Sequence, residues 1–74
     1  MSRLPVVSGQ DAVRAFAKPG YAVDHQSGSH IILRQPQAPY RRLTVPDHRE
    51  LAKGTLRTLI RPAGLTGDTF CELL

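Results

Sequence analysis

A histidine at the head of an apolar run is the residue in this chain best placed for chemistry. In Ser27-Gly28-Ser29-His30-Ile31-Ile32-Leu33-Arg34 a small polar hinge delivers His30 to the start of a stretch whose β-branched residues predict a strand. An imidazole titrates near neutrality. Beside an RNA backbone it takes the proton of a 2′-hydroxyl or gives one to a leaving 5′-oxygen, each worth about 10²–10⁴-fold in rate. Such cleavage calls for no metal and no cofactor, because the nucleophile is the RNA's own hydroxyl. The same position also suits a structural histidine whose ring is hydrogen-bonded at a strand edge. Position alone does not choose between the two.

Around this residue the chain carries an excess of positive charge. Ten Lys and Arg against six Asp and Glu leave a net charge of +4, which points to a polyanionic partner, either nucleic acid or an acidic protein. Lys53, Arg57 and Arg61 recur every four residues and predict a basic ridge along one helix. Together with Arg34, Arg41, Arg42 and Arg49 it could hold phosphates through charge and hydrogen bonds, although a charged stripe of this kind also serves as an ordinary solvated face. The three histidines, His25, His30 and His48, lack the paired close spacings of zinc ligands and no cysteine pair accompanies them, which argues against a metal site. Ser29 beside His30 does not make a hydrolase dyad, since neighbours on a strand point to opposite faces. Tyr40 suits either base stacking or a half-buried position at the start of a strand.

These residues require a scaffold, and 74 residues allow one domain with a small core. A deep enclosed active site is excluded at this size. A helix is predicted over 8–18, with Ser8 and Asp11 as a capping box, Val13, Phe16 and Ala17 on its inner stripe, and Lys18-Pro19-Gly20 as its stop. Strands are predicted over 21–26 and 29–34, joined at Ser27-Gly28 as a hairpin, and a third over 40–45 after the proline-bracketed loop 35–39. On the second strand Ile31 and Leu33 share one face and His30, Ile32 and Arg34 the other. Both faces hold aliphatic residues, so the inward one is left open.

A charged connection, 47–50, leads to a helix with Leu56, Leu59, Ile60 and Ala63 as its apolar stripe; Pro62 is expected to distort its last turn and Gly64 to cap it. Thr66 then caps a final helix whose Phe70, Leu73 and Leu74 complete the core. The expected class is α+β, in the order α-β-β-β-α-α. Cys71, the single cysteine, reads as a small buried hydrophobe in a reducing compartment. No signal peptide is visible and no apolar run approaches the roughly 20 residues of a membrane span, so the expected location is cytoplasmic with no membrane partner.

Three segments in order carry a resemblance. Gly28-Ser29-His30, then Val45-Pro46 with His48, then Lys53-Gly54-Thr55-Leu56-Arg57 opening a helix resemble the HicA family, also called YcfA-like, of bacterial toxin–antitoxin toxins; the likeness extends over 8–74 within a single domain of 1–74. It implies a fold similar to a double-stranded-RNA-binding domain, a three-stranded antiparallel sheet backed by helices. It further implies a metal-independent endoribonuclease, an mRNA interferase that cleaves transcripts and arrests growth until a HicB-type antitoxin sequesters it. By position His30 would be the catalytic residue, Gly28 and Ser29 its supporting companions, and His48 and Lys53 RNA contacts. Three features depart from the family pattern: Ile31 stands where a second histidine is common, Gln35 to Pro39 where an Asp-Gly turn is, and Pro62 is unexpected in the helix.

One histidine is half of an acid–base pair, and a water, His48 or a lysine are the candidates for the other half. Two non-enzymatic readings stand beside the toxin: an RNA-binding module that reads shape, and an inactive relative that keeps only its antitoxin-binding surface.

Overall fold

The computed structural model describes residues 4–74. Its elements run α1 (Gly9–Ala17), β1 (Ala22–Ser27), β2 (His30–Arg34), β3 (Arg42–Pro46), α2 (Lys53–Ile60) and α3 (Gly67–Leu73). The strands form one antiparallel sheet in the order β1-β2-β3, so β2, which carries His30, is the central strand. The class is α+β with the element order expected from the sequence.

The inward face of β2 is the one that carries Ile31 and Leu33. Ile31 and Leu33 are buried, together with Leu43 and Val45 of β3, and they meet Ala12, Ala15 and Phe16 of α1, Leu56, Leu59 and Ile60 of α2, and Phe70 of α3. All three helices therefore cover one face of the sheet. Phe16 is the hinge of this core, with the ring of Tyr21 edge-on at 5.9 Å and that of Phe70 tilted at 5.3 Å. Leu4 and Val7, upstream of α1, are buried too, and the Leu51 amide donates to the Val7 carbonyl at 2.8 Å, so the segment before the first helix belongs to the core. Leu74, expected inside, is 48% exposed; Leu73 is half-buried against the core and Cys71 is likewise half-buried rather than enclosed. Leu74 follows the last residue of α3 and lines an open, mainly apolar hollow with Pro5, Val6 and Val7 instead of entering the core.

Local signals account for the ends of the helices. Ser8 and Asp11 exchange both bonds of the capping box: the Asp11 amide donates to Ser8 Oγ at 3.0 Å, and the Ser8 amide to Asp11 Oδ2 at 3.1 Å. Thr66 and Thr69 repeat the device on α3. At the other end of α1, Tyr21 N–H reaches Phe16 C=O and Gly20 N–H reaches Ala17 C=O, with Gly20 at φ +115°, the paired bonds of a Schellman closure. After α2 the same pair recurs, Leu65 to Ile60 and Gly64 to Arg61, with Gly64 at φ +75°. Pro62 thus lies inside the closing turn, after the last regular bond from Arg61 to Arg57, and does not distort the helix as expected.

The Asp11 carboxyl is held below its usual range, first by the Ser8 amide and then by the Ser8 hydroxyl, with burial opposing and Arg14 assisting. Because the folded-state value is the lower one, the box contributes stability fully above the ordinary value of 3.8 and loses it as pH falls through the folded value. Asp11→Asn is expected to lower the thermal midpoint at neutral pH, and that difference from the wild type is expected to vanish in acid. Paired melts at neutral and strongly acidic pH check it.

The strand limits differ from expectation by one or two residues. The hairpin turn is Gly28-Ser29, with Ser27 in β1, because Gly28 at φ +58° takes the first central position that primed hairpin turns reserve for such a conformation. β3 begins at Arg42 rather than Tyr40. Tyr40 has φ +57°, outside the extended region, and its amide donates to Gln37 C=O at 2.8 Å, so it completes the loop and stands 60% exposed.

Candidate functional site

The helices cover one face of the sheet, and the other is the natural place to look for a site. Register fixes its membership. His30 lies opposite Ser27 on β1 and Pro46 on β3, Ile32 opposite His25 and Thr44, and Arg34 opposite Ala22 and Arg42. Side chains alternate along a strand, and Ile31, Leu33, Leu43 and Val45 point inward, so His30, Ile32, Arg34, Thr44 and Arg42 share the uncovered side with His25 and Ser27.

His30 stands at the entrance of this face. It is exposed, and among the described residues its ring makes no hydrogen bond or ion pair. It therefore lacks the ring partner that a purely structural histidine at this position would use. The backbone beneath it is firm on both sides: Gly28-Ser29 forms the tight turn to β1, and the Asp47 amide donates to the Ser29 carbonyl at 2.7 Å just past the last pair of the ladder. In this register Asp47 lies opposite Ser29, so the bond continues the regular ladder, and Pro46, at the non-hydrogen-bonded position opposite His30, withholds no donor from it. This contact also sets the segment that carries His48 beside the Gly28-Ser29 turn. His48 is exposed, and its carbonyl accepts from the Gly9 amide at 2.9 Å.

At the far end of the face Arg34 and Arg42 are directly opposed. Like charges in that relation repel. Arg34 is half-buried, and its Nε is enclosed with no hydrogen-bond partner among the described residues. Two opposed guanidinium groups, one with an unmet donor, suit an anion such as a phosphate between them. Arg41 does not join them, because its guanidinium donates to the Pro62 carbonyl after α2 and serves the helix end.

The ridge lies elsewhere. Lys53, Arg57 and Arg61 are all exposed, but α2 belongs to the helix layer, so they stand across the sheet from His30. Arg57 and Arg61 border a hollow of about 210 Å³ with Leu65 and Thr66. The Arg41–Pro62 contact sets the end of α2 beside the beginning of β3, and the connector 47–52 returns from the end of β3 to Lys53. Ala52, the N-cap of α2, gives no side-chain cap, and among the described residues no acidic side chain lies in the first turn, so Lys53 adds charge to the positive pole of the helix. A larger hollow of about 420 Å³, mainly apolar, is lined by the segment before α1, by α1 with Lys18, and by the end of α3 with Leu74. Among the described residues no three His, Cys, Asp or Glu side chains gather into a metal-binding group.

β1 is irregular on this face. The register slips between Val23 and His25, leaving Asp24 in a bulge, and His25 Nδ1 lies 2.7 Å from Asp24 Oδ2. Neighbours on a regular strand diverge, but a bulge sets two residues against one and lets them meet. An Asp-His pair in sequence carries no sign of this, since the slip depends on how β1 pairs with β2.

Residues 9–65, most of the chain, match the model of a protein family described as the HicA toxin of bacterial toxin–antitoxin systems. No curated protein matches the chain.

Proposed function

We propose that this chain, which belongs to the HicA toxin family of bacterial toxin–antitoxin systems, is a metal-independent endoribonuclease that cleaves mRNA with His30 as an acid–base group. Membership of a toxin–antitoxin family implies an antitoxin as partner, and we take it to be of the HicB type. The observation that carries the enzymatic reading is His30 itself: an exposed imidazole without a partner among the described residues, on the central strand, sharing a face with Arg34 and Arg42.

The reaction proceeds by attack of a ribose 2′-hydroxyl on the adjacent phosphorus. The new O2′–P bond forms as the P–O5′ bond breaks, one proton leaves the 2′-oxygen, and one reaches the 5′-oxygen. The products are a 2′,3′-cyclic phosphate and a 5′-hydroxyl. Arg34 and Arg42 hold the phosphate and stabilise the charge that develops on its oxygens. Gly28 and Ser29 keep the turn that aims the ring, while His48 and Lys53 contact RNA beyond the reacting centre. Arg57 and Arg61 extend the positive field on the helix side. An open face suits a long, flexible strand better than an enclosed pocket would.

Incubating the purified chain with a long RNA in the presence of a chelator tests the proposal: fragments are expected. Intact RNA that is nonetheless retained by the protein would leave an RNA-binding module instead. The phosphate contacts have their own check. Arg42→Ala is expected to reduce the slope of log affinity against log salt by roughly one, and Arg57→Ala likewise if the ridge touches backbone, in a titration against single-stranded RNA.

A further inference from the structure

We propose that His25, oriented by Asp24, is the second acid–base group, the base that accepts the 2′-hydroxyl proton while His30 donates to the departing 5′-oxygen. The inference rests on the ribonuclease reading and supplies the half of the proton transfer that His30 leaves unassigned.

Position is the first argument. His30 pairs with Ser27, and His25 lies two residues before Ser27 on the same side of the strand. Such diagonal neighbours in an antiparallel pair stand roughly 7–8 Å apart, which leaves room for a phosphate between the two residues. The second argument is orientation. A carboxylate only accepts, so His25 Nδ1–H donates to Asp24 Oδ2 at 2.7 Å and the lone pair is left on Nε2. A fixed tautomer with a free Nε2 is the form a base needs, and a carboxylate behind the ring also stabilises the imidazolium that results. The third is access: the His25 side chain is 53% exposed and faces solvent over Ile32.

The bulge makes this arrangement possible. Without it Asp24 would point to the opposite side of β1 from His25. The charged and titratable groups that look onto the pair are Asp24 on β1, His30 and Arg34 on β2, and Arg42 on β3. Arg34 and Arg42 lie one same-face step beyond Ile32 and supply positive charge beside the pair, and the proton transfers fall to the two imidazoles. His48 has a weaker claim, since it follows the end of β3 and nothing in the structure sets its ring on this face.

In the proposed step the 2′-hydroxyl proton passes to His25 Nε2, O2′ bonds to phosphorus, the P–O5′ bond breaks, and protonated His30 gives its proton to O5′. The two imidazoles exchange protonation states and regain them through solvent, so no further reactant is needed.

The test uses an RNA oligonucleotide with an ordinary phosphodiester and a second in which sulfur replaces the bridging 5′-oxygen, because a thiolate departs without a proton. His25→Ala is expected to slow cleavage of both by about 10²-fold or more, and to lose the acidic limb of the rate–pH profile. His30→Ala is expected to fail on the oxygen substrate and to recover on the sulfur one. Asp24→Asn is expected to slow cleavage less than His25→Ala, and to have no further effect once His25 is absent. His25→Ala cutting at the wild-type rate with both limbs intact would overturn this assignment and leave the ribonuclease reading standing. Wild-type protein that cuts neither substrate would instead overturn that reading, and this inference with it.

Discussion

His30→Ala is expected to reduce RNA cleavage by about 10²–10⁴-fold while leaving the thermal midpoint where it is. Both halves follow from the same environment. The ring is exposed and makes no bond within the described residues, so no fold energy is tied to it. The strand beneath is held by Ile31 and Leu33, which the substitution does not touch. Binding should persist, because Arg34, Arg42 and the helix ridge carry the charge that attracts the backbone. The signature is therefore a collapse of kcat with little change in affinity for RNA. A variant that cuts as fast as the wild type would remove His30 from the chemistry.

Gly9→Ala is expected to have the opposite profile, a severe loss of stability from one methyl group. A Cβ built at Gly9 would meet the Pro46 carbonyl oxygen at 2.1 Å, with the Asp47 Cα and Pro46 carbonyl carbon at 3.1 Å. These are backbone atoms and cannot swing away. The Gly9 amide is bonded to the His48 carbonyl at 2.9 Å, so α1 and the segment after β3 would have to separate. Overpacking typically costs about 1–3 kcal/mol and occasionally more; a rigid contact this close belongs at the upper end. For a domain of this size about 3 kcal/mol corresponds to a fall of more than roughly 10 °C in melting temperature. Activity should suffer as well, because Pro46 is the residue opposite His30. A midpoint within a degree or two of the wild type would show that the two segments yield more easily than their geometry indicates.

These two positions were not equally legible in the sequence. His30 stands out because a polar hinge followed by an aliphatic run is a local pattern, and local patterns also predict the Ser8–Asp11 box, the glycine closures of both longer helices and the apolar stripe of α2. Gly9 carries no such sign. Its importance comes from the backbone of a strand end more than thirty residues away, which only the folded chain brings near. The same limit explains the bulge at Asp24, since a slip in pairing is a property of two strands together.

Periodicity predicts that Lys53, Arg57 and Arg61 form a ridge, and they are all exposed on α2. It is silent on which side of the sheet the helix lies, so grouping the ridge with His30 on one basic surface was beyond its reach. The inward face of β2 was undecidable for a related reason. Ile32 is aliphatic yet faces outward, and only the burial of Leu43 and Val45 beside Ile31 and Leu33 separates the two sides.

The most direct test of the central claim is the chemistry of the cut ends. An RNA oligonucleotide treated with the purified chain in chelator, and analysed by mass spectrometry, is expected to show a 2′,3′-cyclic phosphate on one fragment and a 5′-hydroxyl on the other, with no cut at a site whose 2′-hydroxyl has been replaced by hydrogen. Fragments ending in a 3′-hydroxyl and a 5′-phosphate, or cleavage that survives the loss of the 2′-hydroxyl, would contradict the account.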